Sequence, residues 1–309
     1  MPDTSSRKQR HQILLLGKNG QLGWELQRTL QPLGIVHALD YPEIDLTRPD
    51  TLDGIFQEIH PAIIVNATAY TAVDQAESKP DVCMSINAQA PGIMAEAAAE
   101  LGSVFIHYST DYVFDGEKGS PYVETDSPNP LNIYGQSKLS GEKAVSQAGG
   151  ASLVLRTSWV YSLRRDSFVT KVLQWARQQP QLSIVSDQIG NPTWARALAE
   201  ISAQVLAIAS AGSQAHAFEY IQERRGIYHL AGSGMASRLE WAQAILKYDH
   251  HPQEQKARHI LPARSADFPT PAQRPLFSAL DCSKFEATFG LALPDWQIAL
   301  ELAMAPQTA

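Results

Sequence analysis

The sequence predicts an α/β protein: a doubly wound, Rossmann-type parallel sheet with a smaller C-terminal substrate-binding domain. Three observations predict it. Short, continuous apolar runs recur through the first half of the chain. Segments with apolar residues at helical spacing alternate strictly with those runs. A glycine-rich turn joins the first run to the first helix. Runs that are apolar throughout suit strands buried on both faces, and strictly alternating strands and helices cover a parallel sheet on both sides.

Residues 12–16 form the first run, ended by Gly17, and Leu22, Leu26 and Leu30 then share one helical face. Residues 35–39 make a second strand closed by Asp40, and Leu52, Ile55, Phe56 and Ile59 repeat at helical spacing until Pro61. A third strand at 62–66, an alanine-rich helix at 80–101 and a fourth strand at 103–108 follow. A helix at 135–146 then leads to a strand at 153–156. The second half is less regular. Residues 182–185 read as another strand of the sheet, 193–211 as a helix, 226–230 as a strand and 237–248 as a helix. Pro262, Pro269, Pro271 and Pro275 mark extended loops before a last helix from Asp295. The expected division is a dinucleotide-binding domain over 12–160, to which 182–211 return. Residues 161–181 and 212–309 form most of the substrate-binding domain, and 1–11 a flexible tail.

Composition excludes several classes. With 309 residues, 44% hydrophobic and 18% charged, the chain can bury a large core, in about two domains of ~150 residues. Its net charge of −7 disfavours a nucleic-acid partner, which needs a basic face. No apolar run approaches the ~18 residues of a membrane span, so no membrane partner is expected either. Cys83 and Cys282 cannot build a disulfide framework and have no metal-ligand spacing, which points to a reducing, cytoplasmic setting. No H-E-x-x-H occurs among the nine histidines, and His250, His251 and His259 fall in a polar loop; no metal is expected.

The turn Gly17-Lys18-Asn19-Gly20-Gln21-Leu22-Gly23 permits a tight bend and lets backbone approach a pyrophosphate at the helix N-terminus. Asp40, at the end of the second strand, can accept the adenosine ribose hydroxyls of NADH. Lys18 is a cation for the 2′-phosphate of NADPH, so both cofactors stay open. Tyr134 and Lys138, at i and i+4, project from one helical face. A nearby ammonium favours the phenolate, as a tyrosine used for proton transfer requires. Tyr108-Ser109-Thr110-Asp111 lies at the carboxyl end of the fourth strand, where ligands of open α/β sheets bind, and Thr110 can hydrogen-bond a carbonyl beside Tyr134. Arg264 and Arg274, in the proline-rich loops, read either as ligand-contacting or as parts of solvated loops.

Together these motifs resemble the extended short-chain dehydrogenase/reductase superfamily. Residues 15–26, 65–74, 107–116, 156–161, 187–193 and 269–275 narrow the resemblance to the dTDP-4-dehydrorhamnose reductases. The resemblance implies reduction of the C4 carbonyl of dTDP-4-dehydro-β-L-rhamnose by NADPH or NADH. Tyr134 would donate the proton, Lys138 would hold the nicotinamide ribose, and Thr110 would orient the carbonyl. Gly17, Asn19, Gly20, Gln21, Leu22 and Gly23 would surround the pyrophosphate, with Asp40, Asp45 and Leu46 at the adenosine end. Ala67, Thr68, Ala69 and Tyr70 would pass the nicotinamide half. Thr110, Asp111 and Trp159 would contact the sugar and Arg274 the nucleotide. Some relatives dimerise around a divalent cation; Glu25 could contribute here, but Arg196 stands where an acid is needed. A monomer or homodimer acting on a nucleotide sugar is expected. The alternatives are a reductase or epimerase of another nucleotide sugar, and a non-catalytic NADP-binding regulatory subunit.

Overall fold

Six strands pair in parallel at the centre of the computed structural model, which describes residues 11–211 and 213–306. The first half alternates as its apolar runs require. In order it holds β1 (His11–Leu16), α1 (Gln21–Thr29), β2 (Gly34–Leu39), α2 (Asp53–Ile59), β3 (Ile63–Asn66), α3 (Ala90–Leu101), β4 (Val104–Thr110), α4 (Ile133–Ala148) and β5 (Ala151–Thr157). Pro80–Met84 and a π-helical turn at Ser85–Gln89 run directly into α3. Beyond them come α5 (Phe168–Gln178), β6 (Gln181–Val185), α6 (Ala195–Ala209), β7 (Gly226–His229), α7 (Arg238–Lys247), β8 (His259–Ala263) and α8 (Trp296–Met304).

The sheet order is β7-β5-β4-β3-β1-β2. The order reverses between β1 and β3, and the crevice beyond the carboxyl ends of strands at such a reversal is where α/β sheets bind ligands. Side chains alternate along β1: Ile13 and Leu15 enter the core shared with α1 and α6, Leu14 and Leu16 the core shared with α2 and α3. Burial of each contributes about 1.5–3 kcal/mol.

The second half corrects part of the expected layout. The run at 182–185 is a strand, β6, but it lies outside the main sheet and pairs in parallel with β8. Leu182 and Ile184 feed a third core with Val172, Trp241, Ile245 and Leu300. The sixth strand of the main sheet is instead β7, paired with β5. Of 182–211, only α6 packs against the sheet, through residues such as Leu198 and Leu206. Of the tail, residues 1–10 lie outside the described residues and His11 opens β1.

Candidate active site

The glycine-rich turn forms because it cannot carry side chains. Gly17 has φ +94°, and a Cβ there would sit 2.9 Å from the Ala67 carbonyl carbon at the end of β3. A Cβ on Gly23 would sit 1.9 Å from the Gly17 oxygen, so α1 can press onto the turn only through glycine. Gly20 caps α1 without a side-chain hydrogen bond, and the first turn holds no acid. Its N–H groups and positive dipole end therefore stay available to an anion, which fits a cofactor pyrophosphate.

In front of this turn lies a cavity of about 820 Å3. It is lined by Gly17, Gly20, Gln21 and Leu22 on one side, Asp40, Asp45 and Leu46 at one end, and Ala67, Thr68 and Ala69 just beyond the end of β3. Thr110, Asp111, Tyr134, Lys138 and Trp159 complete it. Three predicted residues stand apart. Tyr70 does not line the cavity; its N–H donates to Asn87 Oδ1 at 2.8 Å. Asn19 and Gly23 shape the turn without lining the cavity; the Asn19 N–H donates to Asp40 Oδ2 at 2.8 Å. Asp40 also accepts the Tyr41 N–H at 2.8 Å. Lys18 is paired with Glu43 at 2.6 Å, which neutralises the cation expected to meet a 2′-phosphate.

Tyr134 and Lys138 share the face of α4 that meets β4. Lys138 is 1% exposed, and its Nζ donates to the Tyr108 carbonyl at 2.6 Å. Burial pushes its ammonium down to about 8. Burial also raises the Tyr134 phenol, only partly opposed by its hydrogen bond with Thr110. This is opposite to the shift expected from a neighbouring lysine. The buried Lys138 nitrogen is directed at Tyr108 and its own charge is disfavoured, so it supplies little field at the phenol. The result is a tyrosine that holds its proton, the form needed to protonate an oxygen.

Thr110 is the last residue of β4, beside Tyr134, and its Oγ1 donates to Asp111 Oδ1 at 3.2 Å. Asp111 Oδ2 accepts from Ser158 at 3.0 Å and Ser278 at 2.5 Å. Burial nevertheless pushes this carboxyl up to about 6. Ser109 also lines the cavity, but its hydroxyl is engaged, donating to Glu142 Oε1 at 2.5 Å.

Trp159 lines both this cavity and a second of about 1190 Å3, which holds Phe168, Lys171, Arg238, Trp241 and Arg274. A φ of +46° at Trp159, unusual for a bulky residue, turns its ring against Gly190, where a Cβ would lie 2.6 Å from the indole. Arg274 is committed to Asp74 through two hydrogen bonds of 2.8 and 2.7 Å. Arg238, which the sequence did not single out, stacks 3.6 Å over Trp159 and has no carboxylate partner among the described residues. Only the packing of α7 against Trp159 could reveal it. Glu25 meets Arg196 at 3.4 Å, and the described residues contain no cluster of three or more acidic, histidine or cysteine side chains placed to hold a metal.

A glycine turn at the strand-order reversal, a threonine ending β4 and the Tyr134/Lys138 pair on α4 define an oxidoreductase of the extended short-chain dehydrogenase/reductase class. Comparison with known proteins narrows the class. The family model for the RmlD substrate binding domain matches residues 11–308. The chain is 43% identical to a dTDP-4-dehydrorhamnose reductase of Burkholderia thailandensis, over 94% of this chain and 97% of the relative. It is 41% identical to that of Escherichia coli K12, over 94% and 95%. The crystal structure of a Bacillus anthracis dTDP-4-dehydrorhamnose reductase in complex with NADP superposes with a TM-score of 0.84 at 32% identity, covering 95% of this chain and 98% of that one. The chain belongs to the dTDP-4-dehydrorhamnose reductase family.

Proposed function

We propose that the protein reduces the C4 carbonyl of dTDP-4-dehydro-β-L-rhamnose to dTDP-L-rhamnose, the last step of dTDP-rhamnose synthesis, using NADPH or NADH. The observation that carries this reading is the convergence of Thr110, Tyr134 and Lys138 on one cavity, joined through Trp159 to a second that is aromatic and basic. The open N-terminus of α1 would hold the pyrophosphate, and Asp40 and Asp45 would meet the adenosine end. Bound NADH or NADPH would supply the hydride to C4. Tyr134 gives its hydroxyl proton to O4 as negative charge develops there, and Thr110 Oγ1 orients that oxygen. Lys138 holds the cofactor ribose. Asp111 and Trp159 place the sugar ring, while Arg238, with Arg274 beside it, faces the diphosphate and the aromatic wall takes the base.

The free thiols of Cys83 and Cys282 support a cytoplasmic location. No helix among the described residues is long and apolar enough to cross a membrane. The test is oxidation of NADH and NADPH in the presence of dTDP-4-dehydro-L-rhamnose, followed at the nicotinamide absorbance band. Sugar-dependent oxidation with dTDP-L-rhamnose as product is expected. Cofactor binding without turnover would overturn the reading and favour another nucleotide sugar or a regulatory role.

A further inference from the structure

His107 lies in the middle of β4, fully buried, in a run where every neighbour is apolar or faces the site. Its two ring nitrogens meet two different partners, and the hydrogen-bond inventory settles which nitrogen carries the hydrogen. The Thr68 backbone N–H reaches Asn66 Oδ1 at 3.0 Å, and the Thr68 hydroxyl reaches the same atom at 2.5 Å. A backbone N–H can only donate, so the orientation of the Asn66 amide is fixed. The other end of that amide, Nδ2, can also only donate, and it lies 3.1 Å from His107 Nδ1. Nδ1 is therefore the acceptor. Burial, reinforced by the Lys138 charge, holds His107 well below its ordinary value, so the ring is neutral with its single hydrogen on Nε2.

That Nε2 lies 3.2 Å from Lys138 Nζ. An ammonium has no lone pair, so with Lys138 charged the pair would set two donors face to face; the neutral amine accepts the Nε2 hydrogen and still donates to the Tyr108 carbonyl. We infer that His107 is a positioning residue whose Nε2–H holds the Lys138 nitrogen by a bond that only the free amine accepts, setting the alkaline edge of the activity. The inference rests on the reading of Lys138 as part of a reductase site. The other groups facing Lys138 are the Cys83 thiol from Pro80–Met84 and Glu142 one turn along α4, itself paired with Arg156 of β5. Asp111 lies beyond β4, beside Tyr134, and Glu77 reaches only the Ile133 N–H at the start of α4. None of these offers Nζ a donor hydrogen as His107 does. Burial raises the Tyr134 phenol, which leaves Lys138 as the group that ionises on the alkaline side.

The first measurement uses the unaltered protein. Long-range proton–nitrogen NMR of 15N-histidine-labelled protein reports tautomers directly. His107, identified by the signal absent from His107→Phe, is expected as the neutral Nε2–H form from about pH 6 to 9. Its shifts should follow a titration that vanishes in Lys138→Met. An Nδ1–H tautomer, or a protonated ring, would overturn the inference. The second is the pH profile of kcat/KM. Loss of the Nε2 hydrogen in His107→Phe should move the alkaline limb upward by about one pH unit, a tenfold change in proton activity. A limb that stays in place in an active variant would also overturn it. If His107→Phe fails to fold, the tautomer in the unaltered protein decides, with the signal assigned through Lys138→Met. Absence of turnover in the unaltered protein would count against the reductase reading alone, because the tautomer is read without substrate.

Discussion

Asp111 stores a free-energy cost that pH can reveal. Its side chain is 3% exposed, and burial raises its carboxyl from 3.8 to about 6, against hydrogen bonds from Ser278, Ser158 and Thr110 and the charge of Arg238. At ~1.4 kcal/mol per pH unit, that rise corresponds to ~3 kcal/mol. The folded state holds the proton more tightly than the unfolded one. The penalty is therefore small at pH 4, near the unfolded value, grows as pH rises to about 6, and is complete by pH 7. Asp111→Asn keeps the shape and cannot ionise. Relative to the unaltered protein it should gain ~2 kcal/mol between pH 4 and pH 7, added to whatever constant offset its altered hydrogen bonds impose. At roughly 2–4 °C per kcal/mol for a chain of this order, the two melting curves should separate by about 5 °C more at pH 7 than at pH 4. The assay is thermal denaturation of both proteins across that range. A separation that does not change with pH would refute the argument, because it would mean that Asp111 titrates alike in the folded and unfolded chains. The same variant should lose turnover at pH 7, since Asp111 lines the cavity.

Three further expectations follow from the same geometry. Tyr134→Phe should cut kcat by at least ~100-fold, the low end for acid–base catalysis, while cofactor affinity measured by fluorescence titration stays within a few-fold. Gly23→Ala should abolish cofactor binding or lower the melting temperature, because the new methyl group would lie 1.9 Å from the Gly17 oxygen; calorimetry with NADPH distinguishes the two, and normal binding with normal stability would contradict the packing. Glu142→Leu strands the Arg156 guanidinium, which is 2% exposed and makes hydrogen bonds of 2.9 and 2.7 Å to that carboxylate. It should cost about 3–5 kcal/mol, and the double variant Glu142→Leu/Arg156→Met should recover much of the loss.

What could be read from the sequence is what local chemistry decides. The Tyr134/Lys138 pair was legible because residues four apart on a helix always share a face, and the glycine turn because only glycine admits φ +94° against the next strand. The same logic failed where partners are remote. A run such as 182–185 states that it is a strand but not which strand it meets; its partner, β8, lies more than seventy residues away, and the third core claims Leu182 and Ile184 before the main sheet can. Tyr70 follows three residues that line the cavity but does not line it itself, and its backbone N–H pairs with Asn87 on the π-helical turn, a partner no local pattern shows. Arg274 was legible as a cation in a loop, but not as one already neutralised by Asp74.

The residues hidden from sequence reading are the ones whose chemistry depends on a second element. A histidine inside an apolar strand reads as a core residue until Asn66, Thr68 and Lys138 are placed around it. Arg238 reads as an exposed helix start until Trp159 bends beneath it with its positive φ. Both lie near the carboxyl end of β4: α4 packs Lys138 against the strand, and Arg238, at the start of α7, faces Asp111 and Tyr112 just beyond it. Burying cations there is costly unless each finds a specific acceptor or an anion arrives. Lys138 has the Tyr108 carbonyl. Arg238 has aromatic faces, the Tyr112 hydroxyl and the Asp111 charge nearby, but makes no salt bridge among the described residues. An anionic substrate would complete that second cation, so truncating Arg238 to methionine should raise KM far more than it lowers kcat. Equal losses in both would place the guanidinium in the chemistry rather than in binding.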